Sequence, residues 1–318
     1  MSVFIPLVSQ LSASEQVAWC TALNHALQHS EVNVKVCLPE MLDEQQHQEV
    51  TCAIVANPDP ALLKRYPNLV WVHSLWAGVE RLVKALKGQK IKLVRLIDPR
   101  LADTMAQACV AWSYYVLRDM HCYQQQQNQA RWQQHPVRLT NECNITVLGL
   151  GELGRTAALA LTNNNFNVVG WSKHQKNING VDCLAGEPSL NKALCNADIV
   201  ICLLPLTTAT KGLLNQHRIN NMKVGATLIN FARSAIIDEQ ALLNALDNRH
   251  IAHAILDVFA QEPLPKEHSF WRHNNITVLP HISAPTSQQS ASKMVASNIA
   301  SYLSTGELPA HVDLVKGY

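Results

Sequence analysis

The stretch ITVLGLGELG, residues 145–154, decides the fold. Ile145 to Leu148 form a short, β-branched apolar run that reads as a strand, and the residues after Gly154 read as a helix. Between them lies Gly149-x-Gly151-x-x-Gly154. In this spacing the first glycine permits a tight turn, the second lets the backbone approach a pyrophosphate, and the third lets helix and strand pack closely. The unpaired N–H groups at the helix start then offer partial positive charge to the phosphates. Glycine-rich turns also serve plain strand-to-helix packing, but the strand-turn-helix context favours a dinucleotide. Glu152, inside the turn, suits a helix N-terminus, although its carboxylate must point away from a bound pyrophosphate.

Outward from this turn the same alternation continues. NVVGW (167–171), DIVICLLP (198–205), ATLINF (226–231), HAILDVF (253–259) and ITVLP (276–280) are short and apolar, as parallel strands covered on both faces should be. Upstream, SVFIPLV (2–8), VNVKV (32–36), CAIVA (52–56) and LVWVH (69–73) form a smaller series. Ser12 and Glu15 have the spacing of a capping box ahead of a helix carrying Val17, Leu23 and Leu27, and a further helix is expected after Pro60. One long helix is expected from Leu101 to about Trp132, with the glutamine-rich YQQQQNQARWQQ as its solvated end. The expected fold is α/β, with two Rossmann-like, doubly wound parallel-sheet domains and an active-site cleft between them. Residues 1–98 with 286–318 would form the substrate domain and 99–285 the dinucleotide-binding domain.

Composition excludes several classes. Lys plus Arg number 26 and Asp plus Glu 24 among 318 residues, so no polyanion-binding surface is implied and nucleic acid is not an expected partner. No stretch approaches the ~20 apolar residues of a membrane span, and the start lacks a basic segment ahead of an apolar run. The nine cysteines are scattered without a Cys-x-x-Cys pair. They read as reduced thiols of a cytoplasmic protein, with neither disulfides nor a metal site expected.

Cofactor choice is written after the second strand of the larger series. An NAD-preferring site would place an Asp or Glu there, about 20 residues past the glycines, for the ribose 2′-hydroxyl. This chain has Trp171, Ser172 and Lys173, with His174 and Lys176 nearby. An acid would repel a 2′-phosphate, whereas a hydroxyl and an ammonium attract one. NADPH is therefore expected over NADH, with NADH still possible.

Three groups that carry chemistry follow later strands. Arg233 comes after ATLINF, Asp257 ends the strand HAILD with Glu262 in the loop just beyond it, and His281 follows ITVLP. A guanidinium can grip a substrate carboxylate in a fork and polarise the neighbouring carbonyl. Hydride arriving at a keto carbon leaves charge on oxygen, so a proton donor must lie within reach, and His281 fits that need. Glu262, ionised and bonded to the other ring nitrogen, would favour the imidazolium. Convergence of three such groups is harder to explain by packing than any one alone.

With GLGELG, GWSK, LLPLTTATKGLLN, NFARSAIIDEQAL, LDVFAQEPLP, LPHISAPT and the ending VDLVKGY, the chain resembles the D-isomer-specific 2-hydroxyacid dehydrogenases over essentially its whole length. It is most similar to their glyoxylate/hydroxypyruvate reductase A branch. The resemblance implies NADPH-dependent reduction of a small 2-keto acid, glyoxylate to glycolate or hydroxypyruvate to D-glycerate. It makes Arg233 the substrate arginine, Glu262 the acid that orients the histidine, His281 the acid/base and Asp257 a contact of the nicotinamide carboxamide. LWAGVE matches the family's carboxylate-binding loop, so the backbone of Ala77 and Gly78 would hold the substrate carboxylate beside Trp76. The family's cofactor contacts fall on Gly149, Gly151, Glu152, Leu153, Gly154, Trp171, Ser172, Lys173, Leu204, Pro205, Leu206, Phe231, Ala232, Arg233, Asp257, His281 and Ser283. A homodimer joined through the cofactor domains is implied, with the helix from Leu101 embracing the partner. Two departures stand beside the pocket: Ser234, where the family usually has glycine, and Arg81, near where many members carry an acid. A reductase for other 2-keto acids and a dinucleotide-sensing corepressor are the competing readings.

Overall fold

The computed structural model describes residues 3–28, 30 and 32–317. Its first elements are β1 (Val3–Ser9), α1 (Ala13–Leu27), β2 (Val34–Cys37), α2 (Glu44–Glu49), β3 (Cys52–Ala56), β4 (Trp71–Ser74), α3 (Glu80–Leu86), β5 (Lys92–Val94), α4 (Pro99–Leu117) and α5 (Met120–Asn128). These are followed by β6 (Asn144–Leu148), α6 (Glu152–Asn163), β7 (Asn167–Ser172), β8 (Asp182–Ala185), α7 (Glu187–Cys195), β9 (Ile199–Cys202) and α8 (Gln216–Asn220). The chain closes with β10 (Ala226–Asn230), α9 (Glu239–Asp247), β11 (Ile251–Leu256), β12 (Ile276–Val278) and α10 (Gln288–Thr305). Two compact units result, Met1–Arg100 with Thr286–Tyr318, and Leu101–Pro285.

In the first unit five parallel strands run in the order β2-β1-β3-β4-β5. Every residue of β3 and β4 is buried, because helices cover both faces of the sheet. The expected capping box opens α1: Ser12 accepts from the Glu15 N–H, and Glu15 returns the bond to the Ser12 N–H at 2.9 Å. Trp19, Leu23 and Leu27 form the buried face of α1. Val17, expected on that face, lies instead on the solvent side, 58% exposed, because it is two positions from Trp19 and so points away from it. The segment after Pro60 is a six-residue 3-10 helix, Pro60–Arg65, capped by Asp59 accepting from the Ala61 N–H. The chain end returns here as α10, which packs along α1 and buries Ala291, Val295 and Ile299 among the residues of α1 and β3.

The second unit carries seven parallel strands in the order β12-β11-β10-β9-β6-β7-β8. The order reverses between β6 and β9, and at such a switch point the loops leave a crevice at the strands' carboxyl ends. Leu148, Ile201, Leu228 and Ile255 are inaccessible to solvent, and truncating one such leucine to alanine costs about 2–5 kcal/mol. The expected pair of doubly wound parallel sheets is therefore what forms. The single long helix expected from Leu101 to Trp132 does not. It is two helices, broken at Asp119, whose backbone is left-handed (φ +51°). Trp132 lies beyond the second helix and is 96% exposed. Among the described residues no helix is long and apolar enough to cross a membrane, and all nine cysteines are free thiols.

Candidate active site

In the second unit the strand ends are level. Leu148 pairs with Trp171 and Cys202, Cys202 with Asn230, Asn230 with Leu256, and Leu256 with Val278. All these strands are parallel, so the residues just past each end emerge on one edge of the sheet. The glycine turn, Leu204–Leu206, Arg233, Asp257 with Glu262, and His281 each follow one of these ends. A single register therefore brings to one edge residues that are 132 positions apart in the chain, the span from Gly149 to His281.

The three glycines hold different constraints. Gly149 has φ +102°, and a Cβ there would sit 2.8 Å from the Leu203 carbonyl oxygen. A Cβ on Gly154 would overlap the Gly149 carbonyl oxygen, so this helix-to-turn contact excludes any side chain. Gly151, by contrast, has nothing within 4 Å of its Cβ position. It is the N-cap of α6, and no side chain caps that helix. The first-turn N–H groups, including those of Glu152, Leu153 and Gly154, have no acceptor within the helix. An open approach over Gly151 to uncapped N–H groups fits a pyrophosphate. Glu152 is exposed.

Past β7 the candidates divide. Trp171 is buried in the core, its indole N–H donating to the Gly186 carbonyl at 3.0 Å. The Ser172 hydroxyl donates to the His174 carbonyl at 2.7 Å, which closes the turn, while Lys173, His174 and Lys176 are exposed. Lys173 and Lys176 thus both have charge and freedom to meet a phosphate, and Lys173 lies next to the end of β7. Past β9, Thr210 accepts from the Thr207 N–H and donates to the Pro205 carbonyl, shaping the loop of Leu204, Pro205 and Leu206. The side chains of Phe231 and Ala232 are core residues, so only their backbone is available to a ligand.

His281 and Glu262 are paired directly: Nδ1 lies 2.8 Å from Glu262 Oε2, with the side chains 54% and 37% exposed. The other carboxylate oxygen of Glu262 accepts from the Phe259 N–H at 2.9 Å, so the acid is oriented by backbone before it orients the ring. Nε2 of His281 remains for proton exchange. His281 has a left-handed backbone, φ +54°, a conformation that costs a non-glycine residue about 1–2 kcal/mol and persists where its surroundings over-determine it. Asp257 does so. Its two oxygens accept from the N–H groups of Ile282 and Ser283 at 2.7 and 2.9 Å, tying the end of β11 to the histidine loop. The Ser283 hydroxyl is buried with no partner. Arg233 extends from the turn after β10 and donates to the Ala232 carbonyl at 2.7 Å. Ser234 begins a 3-10 turn, Ser234–Ile236, outside the left-handed region, so a side chain replaces the family's glycine without backbone strain.

The remaining substrate candidates belong to the first unit. Trp76, Ala77 and Gly78 follow β4 and are half-buried. The Trp76 ring meets Trp19 edge-on at 5.9 Å, and its indole N–H is buried without an acceptor. Arg81 is exposed on α3.

Sequence reading missed three features: the Phe259 N–H, the pair of hydrogen bonds that Asp257 accepts from the histidine loop, and Asn230. A backbone donor leaves no mark in the side-chain pattern. Asp257 and Asn230 end apolar strands as buried polar residues, which was the available signal. One further group was unexpected. Asp119, Cys122 and His135 bring potential metal-ligand atoms within 4.8 Å of one another. The Gln126 amide accepts from the Gln133 N–H and so turns its own NH2 toward His135 Nε2. That leaves the proton on Nδ1, which donates to Asp119 at 3.1 Å.

Comparison with known proteins places this geometry. The sequence profile of the D-isomer specific 2-hydroxyacid dehydrogenase NAD binding domain matches residues 110–283. The glyoxylate/hydroxypyruvate reductase A of Serratia proteamaculans is 37% identical over 273 residues, covering 84% of this chain and 87% of that protein. That of Escherichia fergusonii is 31% identical over 307 residues, 94% and 96% of the two chains. A D-isomer specific 2-hydroxyacid dehydrogenase from Xanthobacter autotrophicus, solved with NADPH and MES, superposes with a TM-score of 0.90 at 34% identity, covering 98% of this chain and 99% of that one. The NADPH-dependent glyoxylate/hydroxypyruvate reductase of Sinorhizobium meliloti, solved with NADP and sulfate, superposes with a TM-score of 0.85 at 27% identity over 99% of each chain.

Proposed function

The chain belongs to the D-isomer-specific 2-hydroxyacid dehydrogenase family, and we propose that it reduces glyoxylate to glycolate and hydroxypyruvate to D-glycerate with NADPH. The observation that carries this reading is the level edge of the second unit's sheet. It lines up a glycine turn with an uncapped helix behind it, an arginine and a carboxylate–histidine pair.

The residues of the turn and of α6 hold the dinucleotide phosphates, and Lys173 meets the 2′-phosphate. The buried Ser283 hydroxyl and Asp257 lie beside His281 to bind the nicotinamide end. The bound cofactor supplies hydride to the keto carbon. Arg233 holds the substrate carboxylate and polarises the carbonyl. His281, its ring oriented by Glu262, gives its Nε2 proton to the carbonyl oxygen. One hydride and one proton then balance the conversion of ketone to alcohol, and the histidine is reprotonated from solvent.

The enzyme works in the cytoplasm as a homodimer. Trp132, Val137 and Leu139, 96%, 68% and 62% exposed, lie in one stretch after α5 and give that assembly an apolar surface to cover. Light scattering on the purified protein tests the assembly: a monomer mass would refute it. Chiral analysis of the product formed from hydroxypyruvate and NADPH tests the reaction. D-glycerate is expected, and L-glycerate or a racemate would overturn the assignment.

A further inference from the structure

Asn230 is the last residue of β10 and is 1% exposed. Its side-chain Oδ1 accepts from the Ala232 N–H at 3.1 Å, and its Nδ2 donates to the Arg233 carbonyl at 3.0 Å. Both partners are backbone groups of fixed polarity, so the amide can lie only one way round, and an ionised carboxylate or an apolar side chain could not satisfy both. The Asn230 carbonyl meanwhile accepts from the Asp257 N–H at 3.2 Å. Asp257 in turn holds the two residues after His281. One residue therefore pins the Phe231–Ala232 and Arg233–Ser234 peptide groups and ties that turn to the strand that fixes the histidine loop.

We infer that Asn230 is a positioning residue that sets the direction of the Arg233 guanidinium toward the substrate carboxylate. This rests on the reading of Arg233 as the carboxylate-binding group. Arg233 has an extended backbone, φ −145° and ψ 142°, and its side chain is long and flexible. Without the clamp, a rotation of about 10° at Cα would carry a guanidinium roughly 6 Å away through about 1 Å, about twice the ~0.5 Å within which a catalytic constellation must be held. A misplacement of that size costs on the order of a hundredfold in rate. Neither hydrogen bond reaches the glycine turn or Lys173, so the groups assigned to the cofactor's phosphates are left in place.

The test is a double-mutant cycle on the full-length enzyme. Asn230→Ala is expected to lower kcat/KM for glyoxylate about tenfold to a hundredfold, with the loss weighted toward KM and with the NADPH dissociation constant within about twofold of wild type. Because Asn230 acts through Arg233, adding Asn230→Ala to Arg233→Lys should cost no more than about threefold further. Asn230→Ser, whose hydroxyl can still accept from the Ala232 N–H, should show the same pattern with a smaller loss and serves if the alanine variant fails to fold. Unchanged kinetics, a loss that multiplies with that of Arg233→Lys, or a parallel weakening of NADPH would each overturn the inference. If Arg233→Lys alone leaves keto-acid kinetics unchanged, the premise about Arg233 fails instead, and the two failures are told apart.

Discussion

Gly151→Ala separates cofactor binding from folding at a single methyl group. Gly151 has an ordinary extended backbone, φ −74° and ψ −166°, and the added Cβ meets nothing within 4 Å. The fold should lose only the difference between glycine and alanine at a helix N-cap, about 1 kcal/mol. The methyl would stand where a pyrophosphate must approach the first turn of α6. Losing one hydrogen bond to that charge costs about 1.5–3 kcal/mol, which is roughly a 10- to 100-fold weaker NADPH complex at 1.4 kcal/mol per tenfold. Gly154→Ala is the contrast. Its Cβ would overlap the Gly149 carbonyl oxygen, so helix and turn must separate and stability falls together with affinity. NADPH titrations by quenching of tryptophan fluorescence, with thermal melts on the same samples, read both quantities. If Gly151→Ala binds NADPH as tightly as wild type, the dinucleotide does not lie over this turn and the assignment of the cofactor site is wrong.

Three further predictions concern charge. Lys173→Ala should raise KM for NADPH while leaving NADH nearly unchanged, since only the 2′-phosphate loses a partner; equal weakening with both cofactors would show that the lysine plays no part in the choice. Glu262→Gln should lower kcat for glyoxylate about tenfold, because the 2.8 Å bond that orients His281 is then no longer charge-assisted; an unchanged kcat would uncouple the pair. His73 is fully buried on β4, donating from Nδ1 to the Ser74 carbonyl and accepting at Nε2 from Asn298, and burial lowers its pKa to about 4. The unfolded chain therefore binds the proton more readily. Stability is full above about pH 6.5, falls as pH drops toward about 4, and loses roughly 3 kcal/mol over that window. Urea unfolding of wild type and His73→Gln across that range should show their stability difference changing by about this amount, and a constant difference would contradict the argument.

The sequence made legible whatever depends on period and spacing. Buried parallel strands such as CAIVA and ITVL advertise themselves by apolar β-branched runs, and the glycines by a fixed offset from a strand and a helix. Edge strands were less visible: β5 and β8 are only three and four residues long, and β8 has no fully buried position, so their pattern is weak. The break at Asp119 was not visible because the residues on either side keep a helical pattern, and aspartate tolerates the left-handed conformation more readily than most side chains. In the same way Val17 fits a loosely drawn apolar face but lies outside the arc that α1 buries. At the site, residue types announced Arg233, Glu262 and His281. The groups that aim them, the Phe259 N–H, both oxygens of Asp257 and the Asn230 amide, depend on which backbone atoms the register brings near, and only the folded chain supplies that.

The central claim is that this edge of the sheet reduces 2-keto acids at the expense of NADPH. Initial rates of cofactor oxidation with glyoxylate, hydroxypyruvate and pyruvate, each with NADPH and with NADH, test it most directly. The account predicts sustained turnover with glyoxylate and hydroxypyruvate, faster at limiting NADPH than at limiting NADH, and abolished by His281→Ala in a protein that still binds NADPH. Slow, unselective reduction that His281→Ala leaves unchanged would contradict it and mark the chain as a dinucleotide-binding protein that uses the scaffold without its chemistry.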